Sequence, residues 1–227
     1  MSAPARAITV RTVQLLRALF AAAAALMITF SPDHSAAVGL SVFSGFAFVS
    51  AFVLVLAAWL ALPAGRRWPY VIIAVLGFAA GMISGIPPWR NDDLFFIVVI
   101  SWALLTGGIE LFGGIRTRRT GDPTARDAIT VGAFGVLLGL LLVLIPAGLV
   151  QEYSIESAGT FQLTGIILGV GMFGGYAAVV AVFLGIAGLT PSPRSEVEGD
   201  KRAEADAAPV VDEIDTAAAP ADRGGER

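Results

Sequence analysis

Residues 94–115 read LFFIVVISWALLTGGIELFGGI, and this segment decides the fold class. Only one of its 22 residues, Glu110, is charged. An α-helix rises about 1.5 Å per residue, so a segment of this length crosses the roughly 30 Å hydrocarbon core of a bilayer. Because backbone groups in lipid must be hydrogen-bonded within the segment, the chain has to be helical there. The segment therefore predicts a transmembrane helix.

Five further segments have the same character. Of the 227 residues, 56% are hydrophobic and 15% are charged, whereas soluble domains usually carry about a quarter charged residues. We predict an all-α integral membrane protein with six transmembrane helices arranged as three helical hairpins, and with the lipid bilayer as its partner. The predicted spans are residues 13–30, 38–62, 69–86, 94–115, 129–150 and 161–189.

The C-terminal residues differ in composition from the rest. Residues 190–227 hold ten acidic and five basic residues, with many Ala and Pro, whereas residues 1–189 carry a net charge of +2. A segment of this kind cannot bury enough apolar surface to offset the entropy lost on ordering. We predict two parts: a six-helix transmembrane domain over residues 1–189 and a disordered acidic tail over residues 190–227.

The arginines predict the orientation. Nine of the ten basic residues before the tail fall on one side of the predicted spans, and only Arg90 falls on the other. The positive-inside rule therefore places both termini in the cytoplasm. A single Lys against fourteen Arg suggests a GC-rich bacterial genome. We predict the bacterial plasma (inner) membrane as the location. An alternative stays open: the first span, followed by Ser35-Ala36-Ala37, is also compatible with a cleaved signal peptide.

The even-numbered spans share a small motif, which suggests an internal repeat. Glycines 45, 107 and 175 each follow a Ser, Thr or Gly, and they lie 62 and 68 residues apart. The odd-numbered spans end near prolines 32, 87 and 146. Regular self-similarity of this kind predicts repeated units, here one helical hairpin each.

The fourth and fifth spans also carry a resemblance to a known family. Residues 100–112, ISWALLTGGIELF, run on to Arg116-Thr117-Arg118-Arg119, and residues 132–139 form a Gly-rich helix that ends at Pro146. These segments resemble the HdeD family of small bacterial membrane proteins, of the short-repeat DUF308 type. The resemblance is strongest over residues 95–146 and implies six spans and an acid-stress context. The long acidic tail departs from the family pattern.

Two charged residues lie inside the predicted spans. Glu110 is the only acid within them, and Arg17 is the only base that lies a full turn inside. Both are at similar depth from the cytoplasmic end, and Glu110 has no base three or four residues further along its helix. A charge in lipid is costly, so we predict an ion pair between the first and fourth helices. The alternative is a proton-accepting role for Glu110.

Glycines at a spacing of four residues predict close helix packing. Small residues let helix backbones approach each other, which is how helices associate in lipid. The same faces could serve a homo-oligomer. The predicted packing positions are Gly77, Gly81, Gly85, Gly107, Gly135, Gly139 and Gly175.

Several function classes have no support in the sequence. The chain has no Cys and one His, so it offers no thiolate or His-rich metal site. Its single Lys lies in the tail, so it has no phosphate-binding loop of the lysine-containing type. We predict no catalytic, cofactor or metal site and no nucleic-acid partner. The acids in the connections on the side opposite the arginines are expected to be solvated; they are Asp33, Asp92, Asp93, Glu152 and Glu156. We predict a non-enzymatic HdeD-type membrane protein with an envelope or acid-stress role. The alternatives are a small proton or solute transporter or channel using Glu110, and an accessory to a lipid-processing enzyme.

Overall fold

The computed structural model describes residues 10–61, 67–119, 124–146, 148–155 and 159–190. The tail from residue 191, and the arginines at positions 6 and 66, lie outside the described residues. Within the described residues, six helices are long and apolar enough to cross a membrane. They are α1 (Val10–Thr29), α2 (Ala36–Leu56), α3 (Trp68–Gly85), α4 (Asp92–Arg118), α5 (Ala125–Val143) and α6 (Gly165–Leu189). The predicted fold class is therefore confirmed.

Side chains at the helix starts explain where the spans begin. Helix α2 follows Ser35, whose hydroxyl accepts a hydrogen bond from the Val38 amide, and α4 follows Asn91, whose side-chain oxygen lies 2.7 Å from the Leu94 nitrogen. Thr164 plays the same part before α6. Each cap satisfies an amide that has no partner within its helix. These caps therefore set the boundaries that hydropathy alone leaves uncertain.

Arg90 is the one basic residue before the tail on the opposite side of the predicted spans, and it caps the C-terminal end of α3. Its Nε donates to the Ser84 carbonyl at 3.0 Å, and its Nη2 donates to the Gly85 carbonyl at 3.3 Å. The last carbonyls of a helix lack partners within the helix and carry partial negative charge, so a cation there is favourable. The local structure thus accounts for this arginine without a ligand.

A β-hairpin between α5 and α6 corrects the prediction. The strands β1 (Val150–Ile155) and β2 (Gly159–Thr164) pair antiparallel, with Val150 opposite Thr164. The all-α prediction did not include this hairpin, and its last span wrongly contained residues 161–164, which belong to β2. The polar residues Gln151, Glu152 and Gln162 in these strands are exposed, and Gln162 donates to Glu152 at 2.7 Å. Polar positions of this kind suit a solvated ribbon better than a membrane helix.

The even-numbered helices form the inside of the bundle. Helices α2, α4 and α6 contact one another, whereas α1, α3 and α5 lie further out. In the apolar part of each even helix 44–56% of the residues are buried, against 33% in each odd helix. The three predicted hairpins are present as consecutive, contacting helices. The most extensive contacts, however, join different hairpins: α2 with α3, α4 with α5, and α1 with α6.

The buried positions reveal a threefold repeat of the odd helices. The buried residues of α3 match buried residues of α5 that lie 58 positions later in the chain. In the same way, buried residues of α1 match those of α3 that lie 56 positions later. Each odd helix turns small residues towards the even helix on which it packs. The matched sets are Ala21 and Ala25 in α1, Gly77 and Gly81 in α3, and Gly135 and Gly139 in α5.

The glycine motif that suggested the repeat is out of register in α4. Phe43 of α2, Trp102 of α4 and Phe173 of α6 occupy matching central positions, so Gly45 matches Gly175 but not Gly107. A Cβ added to Gly45 or Gly175 would meet no atom within 4 Å, whereas one at Gly107 would meet backbone. Our expectation that Gly175 packs closely therefore fails, because Gly175 faces outward.

Candidate functional site

Arg17 and Glu110 lie against each other inside the bundle. Arg17 Nη1 lies 2.7 Å from Glu110 Oε1, and Nη2 lies 3.2 Å from Oε2, so the guanidinium meets the carboxylate with two parallel hydrogen bonds. The side chains are only 17% and 12% exposed. Each residue lies about 11 Å along its helix from the same end of the bundle. We call this end, where α1 begins and α6 ends, the proximal end.

The charges break the threefold repeat of the bundle. The positions that match Arg17 in α3 and α5 are Ile73 and Val131, both buried and apolar. The matching positions to Glu110 in α2 and α6 are Ala51 and Ala181. Of the three sets of matching positions, only the set with Arg17 and Glu110 therefore carries charged side chains. Since burying charges is costly, this placement marks the interface as a candidate site.

A cavity of about 40 Å³ lies on the proximal side of the ion pair, and we call it the mouth cavity. It reaches the proximal end at Val10 and Thr124. A water molecule needs roughly 10–15 Å³ of accessible cavity volume, so the mouth cavity has room for a few waters. Its polar lining comes from α1, α3, α4 and α5 and from the residue before α5: Gln14, Arg17, Tyr70, Glu110, Thr124 and Asp127.

A second cavity of about 30 Å³, the inner cavity, lies towards the bundle centre. Arg17, Glu110 and Val131 line both cavities, so the ion pair forms part of the wall between them. The inner cavity also has aromatic and hydroxyl-bearing walls. These side chains are Phe46, Ser50, Trp102, Thr106 and Tyr176. The Thr106 hydroxyl donates to the Trp102 carbonyl at 2.6 Å.

Packed aromatic rings close the bundle centre beyond the inner cavity. Phe43 contacts Trp102 and Phe173 edge to face, with ring centroids 5.2 and 5.4 Å apart. Phe43 and Phe173 are completely buried, as are the apolar side chains further along, Leu40, Val99 and Val170. The polar cavities are therefore on the proximal side of a dense apolar core, so the site is one-sided in this conformation.

Asp127 and Gln14 belong to the site, although the sequence did not single them out. Gln14 lies one turn before Arg17 on the same face of α1, and its amide donates to Asp127 Oδ2 at 2.5 Å. We placed Asp127 before the fifth span, but α5 begins at Ala125 and brings this carboxyl to the mouth cavity. The spacing of Gln14 and Arg17 was the one available signal, since residues three apart share a helix face.

Six of the seven predicted packing glycines lie against a neighbouring helix. An added Cβ would fall within 3.4 Å of another residue at each of them, and the tightest involve α4 and α5. At Gly139 the neighbour is the Leu104 side chain at 2.6 Å, and at Gly81 it is the Phe48 ring at 2.9 Å. The six are Gly77, Gly81, Gly85, Gly107, Gly135 and Gly139.

The acids at the opposite end of the bundle do not form a common site. Asp33 accepts hydrogen bonds from the amide and hydroxyl of Ser35, while Asp92 and Asp93 are exposed in the first turn of α4. Glu156 lies outside the described residues. No group of three or more His, Asp or Glu side chains suited to a metal ion occurs in the described part of the chain.

Six apolar helices, held together by small-residue contacts, define a multi-pass helical membrane protein. Comparison of the chain with protein-family models, curated proteins and solved structures finds no match. The architecture and the polar site are therefore the basis for a functional proposal.

Proposed function

We propose that this chain is a non-enzymatic, multi-pass protein of the bacterial plasma membrane, of the HdeD type, with an envelope or acid-stress role. The observation that carries the proposal is the Arg17–Glu110 pair lining a one-sided polar cavity inside a membrane bundle. An ionisable group in a membrane helix is by default a functional-site hypothesis, since its charge is costly to keep there. A carboxylate beside water-sized space can respond to protons.

The orientation is part of the same proposal. Arg11, Arg116, Arg118 and Arg119 lie at the proximal end, where α1 starts and α4 ends. Under the positive-inside rule this end faces the cytoplasm, with both termini. Protons would then reach the site from the cytoplasm, which is the compartment that acidifies when a cell fails to resist external acid. Association into a homo-oligomer and the absence of nucleic-acid binding remain predictions.

Acid survival tests the proposal. In a strain of the source that lacks this chain, we expect the wild-type gene to restore survival after an acid challenge. Glu110→Gln should lose most of that protection, because the amide cannot take up a proton. The matched control is Glu152→Gln, since Glu152 is exposed in the β-hairpin; it should protect like wild type. Equal protection by Glu110→Gln and wild type, at equal membrane levels, would refute a role for this carboxyl.

A small proton or solute transporter is the second candidate, and the two cavities meeting at Glu110 favour it. Against continuous conduction stands the apolar core beyond the inner cavity. In proteoliposomes with an imposed pH gradient, we expect the wild-type protein to dissipate the gradient no faster than Glu110→Gln does. Faster dissipation by the wild type alone would replace our first proposal with the transporter.

A further inference from the structure

We propose that the proximal end of helices α2, α3 and α4 binds an anionic phospholipid, with its phosphate held between Arg67 and Arg116. This site is separate from the Arg17–Glu110 pair and does not depend on the proposed acid-stress role. Three features carry the proposal. They are an excess of positive charge at the proximal end, an outward tryptophan beneath Arg67, and a contact between α3 and α4 that places both arginines at one level.

The proximal end carries more positive charge than the described residues neutralise. The described acids towards this end are Glu110 and Asp127, and both line the mouth cavity and accept hydrogen bonds from α1. Arg116 and Arg118 are exposed and form no ion pair with a described residue. In a membrane, anionic headgroups supply the negative charge at this level. The described arginines at this end are Arg11, Arg67, Arg116, Arg118, Arg119 and Arg126.

A π-helical turn at the end of α2, Ala57–Ala61, directs Trp59 outward. Ala57 and Ala58 in this turn are buried, whereas Trp59 is exposed. The central carbon of the Arg67 guanidinium lies over the Trp59 ring, 5.8 Å from its centre, which is within the range of a cation–π interaction. A guanidinium carries its N–H donors at its edge, so stacking on a ring orients these donors without using them. Turns of the π type occur frequently at functional sites.

Helices α3 and α4 meet next to this turn. A Cβ added to Gly113 of α4 would lie 4.0 Å from the Pro69 side chain of α3. Arg67 lies two residues before Pro69, and Arg116 lies three residues after Gly113. Since the two helices run in opposite directions, both arginines lie on the proximal side of this contact. Residues three apart share a helix face, so Arg116 starts from the side of α4 that faces α3. Two guanidinium groups at one level suit the oxygens of one phosphate.

The outer surface beside the arginines suits the rest of a lipid molecule. Phe112 and Ile115 of α4 are exposed and apolar, and Phe112 lies one turn before Arg116 on the same face. Trp68, at the start of α3, is also exposed. Tryptophan rings concentrate at the level of the headgroups, whereas exposed apolar side chains deeper in the membrane contact acyl chains. The order of these groups along α3 and α4 matches the order of phosphate, glycerol and acyl chain in a phospholipid.

Quenching by lipids with brominated acyl chains tests the site. The full chain carries Trp68→Phe and Trp89→Phe, which leaves Trp59 as the reporter, because Trp102 is buried. Vesicles contain anionic phosphatidylglycerol and zwitterionic phosphatidylcholine, and only one of them is brominated at a time. Since bromine is on the acyl chain, the signal reports bound lipid and not free phosphate. We expect Trp59 to associate with phosphatidylglycerol about tenfold or more strongly than with phosphatidylcholine.

Arginine variants locate the phosphate. Arg67→Gln and Arg116→Gln should each lower this preference about fivefold, which is the contribution of one arginine near an anionic surface. Arg118→Gln is the matched control. Arg118 lies four residues after Gly114, which packs against Ile129 of α5, so it starts from another face of α4. Its removal should change the preference by less than about twofold.

A reporter at the opposite end of the bundle provides the second control. Trp89 is exposed there, next to Arg90, which donates to the carbonyls that end α3. With Trp59→Phe and Trp68→Phe, Trp89 should prefer phosphatidylglycerol by less than about twofold. Equal association of Trp59 with both lipids overturns the proposal, as does a preference that survives Arg67→Gln combined with Arg116→Gln, or one of the same size at Trp89. A preference confined to Trp59 and lost in the double variant supports it, whatever the acid-survival result.

Discussion

Arg17→Leu is expected to lower the free energy of unfolding by roughly 3–5 kcal/mol, and Glu110→Leu by a similar amount. The reason is that each single change leaves the other charge buried and unpaired, since both side chains are mostly enclosed. The double variant should recover much of the loss, because two leucines leave no charge to compensate. Unfolding in detergent, followed by tryptophan fluorescence, measures the three variants against the wild type.

The double-mutant cycle decides whether the pair acts as a unit. Residues in contact usually show an interaction energy of about 0.5–3 kcal/mol, whereas distant residues are additive. As a matched control, Arg17→Leu combined with Asp92→Asn should be additive, because Asp92 is exposed at the other end of α4. Strict additivity of Arg17→Leu and Glu110→Leu would contradict the observed pairing.

Gly107→Ala is the second change with a large expected effect. A Cβ at Gly107 would lie 2.7 Å from the Val136 nitrogen and 2.9 Å from the Gly132 carbonyl oxygen. Both atoms belong to the backbone of α5 and cannot rotate away, so α4 and α5 must separate. We expect a loss of about 3 kcal/mol, at the upper end of ordinary overpacking costs. The thermal unfolding temperature in detergent is the measurement.

The adjacent residue provides the control. Gly108→Ala adds the same methyl group to the same turn of α4, but no atom lies within 4 Å of the new position. It should be neutral or slightly stabilising, because alanine favours the helix by up to about 1 kcal/mol relative to glycine. If the two variants melt at the same temperature, the close approach of α4 and α5 is not a determinant of stability.

The ion pair of the site could be predicted from the sequence, but the other polar residues of the mouth cavity could not. Arg17 and Glu110 stand out because charges are rare in apolar spans, and matched depth together with the lack of a partner on the same helix indicated that they pair. Asp127 and Gln14 did not stand out, because polar residues near a predicted span end are expected to be solvated. Their place in the mouth cavity depends on where α5 begins and on how α1 faces it.

The sequence by itself determined the six membrane-spanning helices and the pairing candidates, because hydropathy and charge act locally and need no knowledge of neighbours. Only the tertiary structure decided which helices pack most closely, and that α1, the first helix, packs on α6, the last. It also decided the register of the repeat and the outward direction of Gly175. These features depend on which face of each helix meets another helix. In an all-round apolar segment, the hydrophobic pattern does not distinguish a face towards lipid from a face towards protein.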